Sequence, residues 1–236
     1  MARHEILCFG DSNTAGYHSF GLAFEPYGDS LAQALAAMGR DCKVRHVGMS
    51  GITAHAMLTK KSDPSFVDIL GKWHKGFVHH LTPKPDLVII MTGTNDLTKG
   101  YSAEDILRFT VALHETCHAL GIYTVAIAPL TYTYGTVRQT RNRLAALLQQ
   151  WAASNRGQVL YFADVEKVVP KGSPRLWEWD DLHFSAAGSQ QLGRQLAGDL
   201  VAALVEREEE EVSSLGFHED LQPSWLDNML GAVLGY

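Results

Sequence analysis

Short apolar runs alternate along this chain with longer stretches in which apolar residues recur every third or fourth position. Strands are read near 5–10, 43–48, 86–92, 122–128 and 158–163, segments whose lengths are those of strands. Leu87-Val88-Ile89-Ile90-Met91 is apolar at every position, as a strand covered on both faces must be. The periodic stretches predict helices near 28–39, 65–80, 103–120, 136–154 and 185–206, with Gly121 ending the third of them. Strand and helix in strict alternation are the pattern of βαβ units, so the expected fold is α/β, a three-layer α/β/α sandwich around five parallel strands. No internal repeat interrupts it.

In an open α/β sheet the carboxyl edge of the strands is where ligands are held. Ile6-Leu7-Cys8-Phe9, closed by Gly10, delivers Asp11-Ser12-Asn13-Thr14 to that edge. Taken alone, this run reads equally well as a tight turn, because Gly, Asp, Ser and Asn all favour turns for local reasons. A serine hydroxyl is a weak nucleophile unless a base and oxyanion donors lie elsewhere in the chain. Two further runs could supply them. Thr92-Gly93-Thr94-Asn95-Asp96 follows the third apolar run, and Asp180-Asp181-Leu182-His183 opens the last helix.

Together these blocks resemble the SGNH (GDSL-type) hydrolases. Gly10-Asp11-Ser12-Asn13-Thr14 matches the family's first block, Gly93-Thr94-Asn95-Asp96 its third, and Asp180 to His183 its last. His46-Val47-Gly48-Met49-Ser50-Gly51 matches the second block with His46 where many members carry Asn. The blocks stand in family order over roughly residues 5 to 200. The resemblance implies a flavodoxin-like (SGNH hydrolase) topology and a serine esterase that uses no cofactor and no metal. It also implies Ser12 as nucleophile, His183 as base and Asp180 as its orienter. The oxyanion would be held by the backbone N–H groups of Ser12 and Gly48 and by the Asn95 amide. Asp181 is the rival orienter, less favoured because a residue two positions from the histidine departs from the family spacing.

Composition fits an enzyme of this kind. The chain has 236 residues, 46% hydrophobic and 19% charged, enough to bury a full core in one domain. Its net charge of −6 gives no basic face for nucleic acid. No apolar run reaches the roughly 18 residues of a membrane span. Met1-Ala2-Arg3-His4-Glu5 leads directly into the first strand without a secretory pattern, so a cytoplasmic location is expected. Cys8, Cys42 and Cys117 are an odd set, best read as free thiols. Residues 1–207 are read as the catalytic domain and 208–236 as an acidic linker with an amphipathic C-terminal helix. In that tail Ser224 reads as a helix N-cap, and Trp225, Leu226, Met229, Leu230, Val233 and Leu234 form one apolar stripe, suited to docking on the body, to a homo-oligomer contact or to a membrane surface.

Other motifs compete. His114-Glu115-Thr116-Cys117-His118 satisfies H-E-x-x-H, the spacing that sets two zinc ligands on one helical face. Spacing offers no third ligand, since Thr124 stands where the longer pattern wants His. Ser50 lacks the second glycine of a nucleophile elbow, Ile52 standing there. His79-His80 reads as a solvated helix end, and Glu208 to Glu211 as a solvated helix surface or linker. A flavodoxin-like binding module would need a phosphate-cradling loop after the first strand, where Asp11 opposes an anion. Candidate pocket residues are Tyr17, His18, Leu97, Tyr132, Tyr134, Trp177 and Trp179, an aromatic set that fits short-chain acyl or aryl esters. Carbohydrate or lysophospholipid deacylation is the alternative within the same family.

Overall fold

The structure, a computed structural model, describes residues 4–133 and 135–214. In chain order its elements are β1 (His4–Gly10), α1 (Ser12–Ala15), β2 (Tyr17–His18), β3 (Ala23–Phe24), α2 (Tyr27–Ala37), β4 (Cys42–Gly48), α3 (Ala54–Thr59), β5 (Phe66–Val67), β6 (Trp73–His74), β7 (Leu87–Met91), α4 (Thr94–Thr98), α5 (Ala103–His118), β8 (Tyr123–Ala128), α6 (Val137–Ser154), β9 (Val159–Asp164), α7 (Val165–Val168) and α8 (Ala186–Ser214). Five parallel strands form the main sheet in the order β4-β1-β7-β8-β9. The chain therefore steps from β1 outward to β4, then returns to the other side of β1 and continues to β9. That reversal makes the carboxyl end of β1 the topological switch point, where such sheets open a crevice.

Alternation along the strands sorts the core into two layers. Ile6 and Cys8 of β1 face the side covered by α2 and α8, where they pack with Tyr27, Leu31, Ile89, Leu192 and Leu196. Leu7 and Phe9 face the opposite side, against Met57, Phe77, Leu113 and Cys117. α6 covers the β8–β9 half of that second side through Leu148 and Ala152, which pack on Ala126 and Val159. Cys8, Cys42 and Cys117 are buried and form no disulfide with one another. Burial pushes the Cys8 and Cys117 thiols up to about 12.

The helix expected over 65–80 is absent. In its place stand the antiparallel β5–β6 hairpin, pairing Phe66 with His74 and Val67 with Trp73, and a 3₁₀ turn over Phe77–Leu81. Asp68 decides the outcome. Its carboxylate accepts from the backbone N–H of Leu70 and Lys72, both at 3.0 Å, from Ser50 N–H at 3.2 Å, and lies 2.9 Å from His74 Nε2. A side chain that satisfies the turn's own donors competes with the helical ladder, and Gly71 adds a left-handed residue at φ 79°. At the other end of the chain, α8 continues past the expected boundary near 206 to Ser214, so Glu208 to Glu211 lie on a helix. The apolar stripe of 225–234 lies outside the described residues.

Candidate active site

β1 ends at Gly10, and α1 begins two residues later. Asp11 caps this one-turn helix by accepting from Asn13 N–H at 3.0 Å, and Gly16 closes it in the left-handed region at φ 74°. Ser12 is buried at its first position. Two close backbone approaches hold the turn in place. A Cβ on Gly10 would lie 2.2 Å from Met91 O, and one on Gly48 would lie 2.0 Å from Ala15 N, so both positions must be glycine for α1 to sit on the ends of β4 and β7. Burial pushes the Asp11 carboxyl up to about 6, against the opposing hydrogen bond from Asn13 N–H.

The segment before α8 brings the histidine back to this turn. Trp177 and Phe184 form an antiparallel bridge, which closes a loop with Asp180 to His183 at its end. His183 Nε2 lies 2.9 Å from Ser12 Oγ, and His183 Nδ1 lies 2.7 Å from Asp180 Oδ2. Asp180 Oδ1 accepts from the backbone N–H groups of Leu182 and His183, both at 2.9 Å. Burial disfavours the Asp180 charge, but the His183 ring and these two backbone donors outweigh it and hold the carboxyl well below the usual carboxylate range. A charged Asp180 fixes the proton on Nδ1, which leaves Nε2 free to accept from the Ser12 hydroxyl. Asp181 points elsewhere. In the left-handed region at φ 56° it accepts from Thr133 N–H and Thr133 Oγ1–H, and it pairs with Lys171 at 3.6 Å.

Asn95 follows Gly93, whose φ of 112° turns the chain from β7 into α4. Its amide Nδ2 donates to Ile52 O at 3.1 Å, so the loop after β7 is tied to the loop after β4. Asp96 strengthens the tie by accepting from Ala54 N–H at 2.7 Å and His55 N–H at 3.2 Å at the start of α3. Gly51 lies in that same β4 loop at φ 70°, with the Ile69 side chain packed over its Cα. Among the described residues, the backbone N–H groups of Ser12 and Gly51 meet no hydrogen-bond acceptor.

The expected pocket residues divide. Tyr17 stands at the site, its ring centroid 4.5 Å from that of His183, and Trp179 is exposed beside it, paired with Phe20 at 5.3 Å. His18 contacts Ser19 Oγ at 2.9 Å on the same segment, and Tyr132 is exposed next to Thr133. Leu97 is instead a core residue packed with Ala103, Ile106 and Leu144. Trp177 is core as well, its ring tilted against Phe184 at 4.9 Å and its Nε1–H donating to Pro170 O at 3.0 Å. Tyr134 lies outside the described residues. Phe20 and Ile69, which no sequence block singles out, stand against Trp179 and over Gly51 because short turns carry them there.

The H-E-x-x-H residues do not converge. His114 is fully buried, Glu115 is exposed, and His118 Nε2 is engaged with Thr124 Oγ1 at 2.9 Å. Among the described residues no group of three or more His, Cys, Asp and Glu side chains is placed to hold a metal. Ser50 is buried in the β4 loop, its N–H held by Asp68. His79 and His80 sit on the 3₁₀ turn with their Nε2 atoms 3.1 Å from Ser62 O and Lys75 O. No described helix is long and apolar enough to cross a membrane.

Comparison with solved structures places the fold among esterases. A carbohydrate acetylesterase family member from Sinorhizobium meliloti superposes with a TM-score of 0.62 at 21% identity, covering 85% of this chain and 98% of that one. The psychrotrophic esterase EstA from Pseudoalteromonas sp. gives 0.62 at 18% identity, covering 87% and 99%. A lipase/acylhydrolase from Enterococcus faecalis gives 0.59 at 27% identity, covering 84% and 95%. Among curated proteins none matches the sequence. Residues 8–191, a span that runs from β1 into α8 and includes Ser12, Asn95, Asp180 and His183, match the GDSL-like lipase/acylhydrolase family. The chain belongs to that family and is one of its ester hydrolases.

Proposed function

We propose that this enzyme cleaves small carboxylic esters, with short acyl or aryl groups, through an acyl-enzyme formed on Ser12. One observation carries the reading: the unbroken contact from Ser12 Oγ through the His183 ring to the Asp180 carboxylate, at 2.9 and 2.7 Å. As Ser12 Oγ attacks the ester carbonyl, its proton passes to His183 Nε2. Asp180 stabilises the imidazolium that results. The tetrahedral intermediate then expels the alcohol, which takes the proton from His183. Water repeats the sequence in the second half, His183 accepting its proton as the new bond forms and returning it to Ser12 Oγ as the acid departs.

Negative charge on the carbonyl oxygen needs fixed donors. Ser12 N–H and the second N–H of the Asn95 amide are two of them. The third we assign to Gly51 rather than to Gly48. Gly48 owes its missing side chain to the approach of Ala15, whereas Gly51 shares the β4 loop with the carbonyl that Asn95 holds and has an N–H without an acceptor among the described residues. The aromatic rim of Tyr17, Phe20 and Trp179 supports short or aryl groups at the ester.

A panel of p-nitrophenyl esters from acetate to palmitate tests the reading. Turnover is expected on the short members, with loss of about 10⁴-fold or more in kcat in Ser12→Ala. A serine-directed phosphonate should label Ser12. Near-normal turnover by the folded Ser12→Ala protein, or a phosphonate adduct on Ser50, would rule the mechanism out.

A further inference from the structure

Large apolar side chains left in water collect on the two segments that wall the candidate active site. One wall is the β2–β3 turn with the loop before His183, where Leu22 is 88% and Trp179 75% exposed and Phe20 stands against Trp179. The other is the β5–β6 hairpin, where Ile69 is 74% and Trp73 71% exposed and Val67 and Leu70 are also in water. Ile69 packs over Gly51 and its N–H reaches Ser50 O at 3.3 Å, so the hairpin stands directly on the β4 loop. Its two faces follow the strand period. Phe66 and His74 pair on the buried side, while Val67 and Trp73 pair on the side turned to solvent, where water alone would favour polar residues. An apolar set of this size at the mouth of a site marks a contact surface.

Charge indicates what the surface meets. The chain carries a net −6, yet the exposed Lys72 and Lys75 flank Trp73. The acids of the same hairpin region are engaged: Asp68 is buried on His74 and the turn, and Asp63 pairs with Lys60 at 3.8 Å. Tryptophan beside lysine, with aliphatic side chains at the tip, suits the boundary between acyl chains and anionic headgroups. We infer that the β5–β6 hairpin, through Leu70, Trp73, Lys72 and Lys75, docks the enzyme on an anionic lipid surface so that the loop of Gly51 beneath it faces esters partitioned there. The inference concerns where the enzyme works, and it does not depend on Ser12 chemistry.

The test is co-sedimentation with phosphatidylcholine vesicles, with and without phosphatidylglycerol, using the full chain and also Ser12→Ala to separate docking from catalysis. Both proteins should bind the phosphatidylglycerol vesicles, less at raised salt, with a blue shift of tryptophan emission. Leu70→Ser/Trp73→Ser should lower partitioning on the order of 100-fold, and Lys72→Gln/Lys75→Gln roughly tenfold or more with loss of the salt effect. Neither double variant should change turnover of p-nitrophenyl acetate or melting temperature, because all four side chains are exposed and outside the proposed reaction. Absence of binding by the unmodified chain, or partitioning unchanged in Leu70→Ser/Trp73→Ser, would overturn the inference. So would a dimer of the unmodified chain that this variant converts to monomer, since the face would then be a contact between copies.

Discussion

In the proposed reaction Asn95 would do two jobs with one amide. Its carbonyl-bound N–H fixes the β4 loop through Ile52 O, and the other N–H is left for charge that develops only during reaction. Asn95→Ala should therefore lower kcat about 10²–10³-fold with little change in KM, as steady-state kinetics on p-nitrophenyl acetate would read. A change confined to KM would mean that Asn95 merely holds the substrate. Single residues were most legible in the sequence where a block fixed both type and spacing: Ser12, Asn95, Asp180 and His183, the residues those blocks single out, stand in neighbouring loops of the structure. The family spacing favours Asp180 over Asp181 as orienter; in the structure Asp180 contacts the His183 ring, and Asp181 is taken up by Thr133 and Lys171. Residue type without spacing carried less. Leu97 and Trp177 are apolar like any pocket lining, and nothing in the chain shows that Ile106 and Phe184 cover them.

At the scale of elements, hydrophobic period located the five sheet strands to within a residue or two: β7 is buried at every position, while the edge strand β4, with Lys43, Arg45 and His46 partly in water, still keeps strand length between turn residues. The period failed over 65–80, where the same mixture of apolar and polar residues suits a helix or a two-faced hairpin. The deciding term there is the set of donors on Asp68, three of them within six residues and one from Ser50, which no periodicity reports. α5 illustrates the opposite case, a motif whose first histidine is enclosed in packing. His114 lies against Trp151 at 4.9 Å with neither ring nitrogen hydrogen-bonded, and burial, with a smaller effect of His118, pushes its pKa down to about 3. In the unfolded chain it would titrate near the ordinary 6.5. Between these values the unfolded state binds the extra proton, so the contribution of His114 to stability is present above about pH 6.5 and is lost as pH falls towards 3. The slope approaches about 1.4 kcal/mol per pH unit. Replacing the ring by a hydrocarbon, His114→Leu, should remove that dependence. Denaturant melts from pH 7 to 4 should show the variant gaining on the unmodified chain as pH falls, whereas a constant difference would place a compensating proton site beside His114. Comparing the pair isolates the effect from Asp11, whose raised carboxyl pKa gives the opposite slope over part of the range.

For the whole molecule, the switch point at β1 explains why four distant blocks meet. β4 and β7 flank β1, so the loops after all three strands open into one crevice, and α8 must begin there for His183 to reach Ser12. Everything this arrangement needs lies between β1 and the first turns of α8. Beyond Ser214 the sequence places Trp225, Leu226, Met229 and Leu230 at near-helical spacing, and we propose that this stripe serves stability or assembly rather than chemistry. Burial of such side chains is worth about 1.5–3 kcal/mol each before the entropy of ordering is set against it. Deleting residues 215–236 should accordingly lower the melting temperature by several degrees, and lower the assembly size as well where the stripe meets a second copy. kcat per folded chain should persist, because Ser12, Asn95, Asp180 and His183 all remain. Calorimetry and light scattering on the full and shortened chains decide the matter: equal melting temperature, solubility and mass would show that the stripe docks on nothing, while a selective loss of kcat at full stability would put part of the active site in the tail.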